Sequence, residues 1–248
     1  FFFQAEDGIR DHCVTGVQTC GSSDLEGADV LSVLTRVGSA VTLHCEIVVV
    51  VDSLDDSTIP FVEQMAGEDE RMRVIINTYG RGPANAIRFG IDRALAPVVV
   101  VTMADGCDDP FQIDMLTRLV DRGVVVAAAS RYARSGQQVG GPFLKGLMSR
   151  MAGLTLYYFA RVGTRDATNS FKAYSKSFIE KVGIESDQGF EIGIELVSKA
   201  RRYRQPVAEI PTIWLDRAFG ASNFKLVAWL PRYIRWYFYA FGAKKQLV

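Results

Sequence analysis

The sequence predicts one α/β domain in which a mostly parallel sheet is flanked by helices. Three observations carry this. Apolar, β-branched runs recur as EIVVVVD (46–52), RVIIN (73–77), PVVVVTMAD (97–105) and VVVAAASR (124–131), continuous enough for strands buried on both faces. Amphipathic stretches at helical spacing alternate with them, which is the mark of βα units. No internal repeat or low-complexity linker interrupts the alternation.

Taken in order, ADVLSVLTRVGSAV (28–41) reads as a helix, and the run at 46–52 as the first clear strand. A doubly wound sheet ordinarily opens with a strand before its first helix, so the first strand is expected to be missing. After the strand at 73–77, GRGPANAIRFGIDRAL opens with glycines and Pro83 and continues with Ala84, Ile87, Ile91 and Leu95 at helical spacing, so that a loop feeds a helix N-terminus. FQIDMLTRLVDRG makes a helix ending near Gly123. From about 132 the chain turns glycine-rich and basic (GQQVGGPFLKGLMSR) ahead of an apolar helix at about 146–160, which reads as a site-forming region. GFEIGIELVSKARRY (189–203) reads as a helix, PVAEIPTIW as a short edge strand with Pro206 and Pro211, and FKLVAWLPRYIRWYFYAF as a terminal aromatic helix.

Residues 1–25 stand apart. QAEDGIRD and VTGVQTC show neither helical nor strand periodicity, and they resemble the in-frame translation of a sequencing-library adaptor. This leader is expected to be non-native, so His12, Cys13 and Cys20 are not read as a metal or disulfide site. Residues 26–215 are then expected to be one N-terminally truncated domain, and 216–248 a loop with an amphipathic C-terminal helix.

The chain of 248 residues, 48% hydrophobic, is long enough for one substantial core. Its 28 basic and 28 acidic side chains balance, so no global field favours nucleic acid, and none is expected as a partner. Cys45 and Cys107 are too far apart in sequence for a zinc spacing and favour a reducing compartment. No uncharged apolar run reaches the roughly 18 residues a membrane span needs, since Pro231, Arg232 and Arg235 break the C-terminal stretch.

Chemistry concentrates just beyond the strands, where parallel sheets bind ligands. The strand at 46–51 runs into Asp52, Asp55 and Asp56, and that at 97–103 into Asp105, Asp108 and Asp109. Converging carboxylates repel unless a cation compensates them, and Mg2+ or Mn2+ takes such oxygen ligands. Asp108 or Asp109 before Pro110 also suits a plain helix cap. Asn77-Thr-Tyr-Gly80-Arg81-Gly82 lies between strand and helix, where glycines let backbone N–H groups approach a phosphate. A dinucleotide fingerprint wants a third glycine where Asn85 stands, so an NAD-binding oxidoreductase domain is the weaker alternative.

VVDSLDDST, NTYGRGPANAIRFG, VTMADGCDDP, ASRY, DATNSFKAY, GFEIGIEL and AEIPTIWLDRAFGAS, in this order, resemble family-2 glycosyltransferases, close to the dolichyl-phosphate mannosyltransferase and polyprenyl-phosphate glucosyltransferase branch. The resemblance covers nearly everything from Ala28 onward. It implies the GT-A (nucleotide-diphospho-sugar transferase) fold, a GDP-mannose or UDP-glucose donor, a divalent cation, inversion at the anomeric carbon, and a polyprenyl or dolichyl phosphate or similar lipid-linked or glycan acceptor. It further implies donor contacts at Asp52, Asn77, Gly80, Gly82 and Asp105, a metal at Asp105 with Asp108, catalytic roles for Asp166 and Arg131, and acceptor contacts at Arg131, Lys172, Arg217 and Ser222. Met103, Cys107 and Asn223 depart from the family pattern, at the first metal aspartate, a frequent glutamine ligand and a lysine. Met103 keeps open a second alternative, a protein that binds nucleotide sugar without transferring it.

Asp166 is the natural base if the acceptor is a hydroxyl; a lipid phosphate, already anionic, asks for cations instead. Glu191 and Glu195 lie one helical turn apart and could face the site or solvent. Trp229, Tyr233, Trp236, Tyr237 and Tyr239 among Arg232, Arg235, Lys244 and Lys245 suit a membrane interface or packing on the domain. A cytoplasmic enzyme, peripheral on that face of a membrane, is expected; the oligomeric state is left open.

Overall fold

The structure is a computed structural model that describes residues 14–19, 29–216 and 226–247. Seven strands form one sheet in the order β3-β2-β1-β4-β7-β5-β8. They are β1 (Val14–Thr19), β2 (Cys45–Val51), β3 (Met72–Ile76), β4 (Val98–Met103), β5 (Val126–Ser130), β7 (Lys172–Ser175) and β8 (Val207–Pro211). β1, β2, β3 and β4 run parallel, as do β5 and β8, while β7 is antiparallel to both β4 and β5. Short β6 (Gln137–Val139) and β9 (Ile213–Leu215) pair separately.

Helices cover both faces. On one side α1 (Asp29–Ala40), α2 (Ile59–Ala66) and α4 (Ile113–Asp121) pack Leu34, Val62 and Leu116 against Ile47, Val49, Val100 and Ala127. On the other, α3 (Pro83–Arg93), α6 (Lys176–Val182), α7 (Ile192–Arg202) and α8 (Leu226–Ala240) bury Ile87, Phe178, Leu196 and Trp236 against Val48, Val50, Val101 and Tyr174. The alternation of strand residues between the two cores follows from the period-2 geometry of a strand. The expected runs at 46–52, 73–77, 97–105 and 124–131 are all strands, and the mostly parallel α/β sandwich is the one the sequence predicts.

One expectation is corrected. No strand was expected ahead of residue 28, yet Val14–Thr19 occupies the slot between β2 and β4, with Val17 beside both Val48 and Val101. A gap between two parallel strands presents unpaired backbone donors and acceptors on both sides, so an extended segment is held there without needing alternating side chains.

α5 (Phe143–Thr155) continues into one π-helical turn, Leu156–Ala160, closed by Arg161 in the left-handed region (φ 57°). The terminal helix α8 packs on α7 through the buried Trp236 and Ala240.

Candidate functional site

The carboxyl ends of β1, β2, β3, β4 and β5 lie along one edge of the sheet. Because β7 runs the other way, its beginning, and the loop before it, reach the same edge. Three corners of polar groups result.

At the first corner, Asp52 follows β2. Its Oδ1 accepts from Asn77 Nδ2 at 2.7 Å and its Oδ2 from the Gly82 amide at 2.8 Å. Asn77 Nδ2 also donates to the Gly80 carbonyl at 2.7 Å, and its Oδ1 accepts from the Tyr79 amide at 2.9 Å. Gly80 and Gly82 have φ of 104° and 117°, and a Cβ on Gly82 would stand 3.0 Å from the Gln188 carbonyl oxygen, so the turn demands glycine there. Asp52, Asn77, Gly80 and Gly82 are thus brought together, forming a preset loop at the N-terminus of α3. Each carboxylate oxygen of Asp52 keeps a second lone pair for a hydroxyl donor.

At the second corner, Asp105 Oδ1 accepts from the Cys107 amide at 3.1 Å in a tight turn through Gly106. Asp108 is turned inward: its Oδ2 accepts from Thr102 Oγ1 at 3.1 Å and the Met103 amide at 3.2 Å, with 8% of the residue exposed. Burial, and then the neighbouring Asp105, push its carboxyl up to about 7. The carboxylate expected as a metal ligand thus closes the end of β4 through its Oδ2. Asp109 caps the 3-10 turn at 110–112 by accepting from the Phe111 amide, the plain helix cap its place before Pro110 suits. Among the described residues no three His, Cys, Asp or Glu side chains gather as a cage. Asp105 is half-buried in its turn, with the Cys107 thiol 3.8 Å from its backbone carbonyl oxygen.

At the third corner, Arg131 follows β5 and forms a bidentate pair with Asp166, Nε to Oδ2 at 2.7 Å and Nη2 to Oδ1 at 2.9 Å. The Arg131 amide adds a third bond to Oδ2 at 3.0 Å, and the Asn169 amide donates to Oδ1 at 3.2 Å. Asp166 is fully buried. Burial raises its carboxyl, but Arg131 more than offsets this through charge and hydrogen bonds and holds it below the ordinary range. A carboxylate so placed is a poor proton acceptor, and its hydrogen bonds fix the direction of the Arg131 guanidinium. Arg131 Nη2 also donates to Ser149 Oγ on α5 at 3.2 Å, and the guanidinium lies near the rings of Tyr132 and Trp214. Among the described residues its Nη1 makes no hydrogen bond beside those of Nε and Nη2.

Lys172, expected at the acceptor, lies beneath this corner rather than at its surface. It has no exposure, and its Nζ donates to the Ala167 and Asn169 carbonyls beneath the loop. Arg217 and Ser222 lie outside the described residues. Glu191 and Glu195 do not face the site: they accept from the amides of the 185–189 loop, and Glu195 also pairs with Lys199 at 2.7 Å. Sequence reasoning passed over Ser149 and Tyr132. The signal available was the small-residue face of α5, where Gly146, Ser149 and Gly153 recur at helical spacing; Gly153 lies hard against the Arg165 backbone, and the Gly146 carbonyl accepts from the Tyr132 hydroxyl.

A three-layer α/β fold with a glycine loop, an acidic turn and a locked arginine along one sheet edge is that of a GT-A glycosyltransferase. The chain belongs to glycosyl transferase family 2, whose profile matches residues 26–183. It is 28% identical over 183 residues to the polyprenol monophosphomannose synthase of Mycolicibacterium smegmatis, covering 71% of this chain and 69% of that protein. To the dolichol-phosphate mannosyltransferase of Pyrococcus furiosus it is 29% identical over 205 residues, covering 81% of this chain and 56% of that one. Among solved structures it resembles glucosyl-3-phosphoglycerate synthase from Mycobacterium tuberculosis in complex with Mn2+, UDP and phosphoglyceric acid, with a TM-score of 0.66, 14% identity, and 94% and 80% of the two chains covered. Family membership displaces the NAD-binding alternative.

Proposed function

We propose that this glycosyltransferase moves a hexose from a nucleoside-diphosphate sugar, GDP-mannose or UDP-glucose, to a polyprenyl or dolichyl phosphate, with inversion. The buried Arg131–Asp166 pair is the observation that carries the proposal. It presents a fixed cation where a hydroxyl acceptor would need a base, and a phosphate monoester brings an oxygen already ionised. That oxygen attacks the anomeric carbon, the bond to the donor diphosphate breaks, the nucleoside diphosphate leaves, and no proton has to be removed. Arg131 Nη1 holds the acceptor phosphate in line, while Asp52 and the 77–82 loop seat the nucleotide. The names of the two relatives, a polyprenol monophosphomannose synthase and a dolichol-phosphate mannosyltransferase, favour the same acceptor class.

Mg2+ or Mn2+ supplies neutralising charge to a leaving diphosphate when bound in such enzymes. Among the described residues no cage for it gathers: Asp105 holds the Cys107 amide, and Asp108 Oδ2 holds the Met103 amide. The ion is expected to arrive with the donor, meeting Asp105, and the step above does not run through it.

The same reading places the enzyme peripherally on the cytoplasmic face of a membrane. α5 turns Ser149 toward Arg131 and leaves Leu144, Leu147 and Met151 exposed on its outer side; Phe159 and, on α8, Phe238 are exposed as well. An apolar flank beside an anion-binding arginine suits a lipid whose phosphate enters the site. No helix among the described residues is long and apolar enough to cross a membrane.

The test is transfer of labelled hexose from each donor to a polyprenyl phosphate and to the unphosphorylated polyprenol. Product is expected with the phosphate alone. Equal transfer to the alcohol would overturn the proposal, and nucleotide-sugar binding with no transfer to any acceptor would leave the non-catalytic alternative suggested by Met103.

A further inference from the structure

A fully buried lysine lies directly under the third corner. Lys172 begins β7, and its ammonium points away from solvent into the space between the 166–169 loop and α7. It donates there to the carbonyls of Ala167 and Asn169. The pocket is shaped for it: a Cβ on Gly193 of α7 would come within 3.3 Å of Nζ and 2.9 Å of the Asn169 carbonyl oxygen. Burying an ammonium is costly, and burial does pull its pKa down, to about 7, with Asp166 and Asp108 opposing the fall and Arg131 adding to it. An apolar side chain of the same length would fill the slot without that cost.

Two consequences follow for the loop above. Asp166 points at Arg131 only while residues 166–169 hold their turn, and Lys172 is what ties that turn to β7 from below; from the side, Asn169 Nδ2 ties it to the Ala129 carbonyl at 2.9 Å. Charge is the second. Arg131 and Asp166 together sum to zero, so the pair by itself offers an anion geometry without net attraction; the Lys172 amine beneath, protonated in part with its pKa at about 7, adds positive charge to the site in a low-dielectric setting.

We propose that Lys172 is a positioning residue for acceptor capture, holding the loop that aims Arg131 and supplying the site's net positive charge toward a phosphate. This rests on the phosphate-acceptor reading above. The test compares wild type with Lys172→Met, which keeps the length and removes charge and donors, and Lys172→Gln, which keeps one donor without charge. Steady-state kinetics with polyprenyl phosphate should show acceptor kcat/KM lowered roughly 10- to 100-fold in the Met variant, chiefly through acceptor KM, with donor KM unchanged. The Gln variant should fall between. Hydrogen exchange at residues 166–170, which needs no turnover, should quicken in both. If wild type transfers nothing to a polyprenyl phosphate but exchange still quickens, the acceptor reading fails while the loop-holding role stands. Unchanged exchange with acceptor KM within about two-fold of wild type overturns the proposal. So does a parallel loss of donor and acceptor affinity, or failure of both variants to fold, either of which makes Lys172 a general core element.

Discussion

Replacing Asp166 by Asn tests the keystone of the third corner. Asp166 is 0% and Arg131 12% exposed at the side chain, and the carboxylate accepts five hydrogen bonds, three from Arg131, one from the Asn169 amide and a long one from the Thr168 hydroxyl. Asn preserves shape but removes the charge and turns an acceptor oxygen into an amide donor facing the guanidinium. Leaving a buried charge without its partner costs about 3–5 kcal/mol. For a domain of this size that lowers the melting temperature by roughly 6–20 °C, at about 2–4 °C per kcal/mol. The sign with pH follows from the lowered carboxyl: its stabilisation is complete above the unfolded value of 3.8 and is lost as pH falls through the folded value, so wild type and variant should converge in acid. Guanidinium melts at pH 7 and pH 3, with Arg131→Met and the double variant closing a cycle, give the coupling directly. A loss at pH 7 below about 1 kcal/mol, or additivity of the two single changes, would show that the pair is not what holds this corner.

Asp108→Asn should act in the opposite direction. The raised carboxyl, about 7, favours the folded state only when protonated, so stability declines as pH climbs from about 4 to about 7; the amide removes that decline and should melt higher at pH 8 by on the order of 1–4 kcal/mol, and a variant less stable there contradicts the inward geometry. Met103→Asp with Cys107→Gln, restoring hard donors beside Asp105, should raise Mn2+ affinity at least 10-fold by calorimetry without donor present; an unchanged affinity would mean these positions do not face the ion. Gly153→Ala sets a methyl against the Arg165 backbone and should cost about 1–3 kcal/mol while loosening the adjoining Asp166, measured by melting and by acceptor KM. Leu147→Asp with Met151→Asp should abolish flotation with anionic vesicles while leaving nucleotide binding intact; retained flotation argues against an α5 membrane face.

The legible parts of the fold were those whose local pattern and burial agree. Val48 to Val51, Val98 to Val101 and Val126 to Ala129 are buried on both faces and read as strands from composition alone. β7 was not legible, because Lys172 interrupts its apolar run and only the tertiary slot beneath the 166–169 loop accounts for a charge there. β1 was hidden for a different reason: Gly16 and Gln18 carry no strand signal, and its place depends on neighbours that occur later in the chain. The first corner was visible because Asp52, Asn77, Gly80 and Gly82 each sit where a parallel strand ends. Which backbone amides an aspartate binds is not a property of sequence spacing: Asp105 accepts from Cys107 two residues ahead, Asp108 from Met103 five residues back. The pairing of Asp166 with a guanidinium 35 residues away has no local sequence signal either.

The close approach of α5 to the 165–166 backbone at Gly153 makes that helix a rigid lever. One arm is the outer row of Leu144, Leu147 and Met151, the other is Ser149 against the guanidinium, and the fulcrum is a contact with no room for a single methyl group. The outer row and the Arg131-bonded Ser149 thus belong to one body, and a shift of α5 that moves the first moves the second with it.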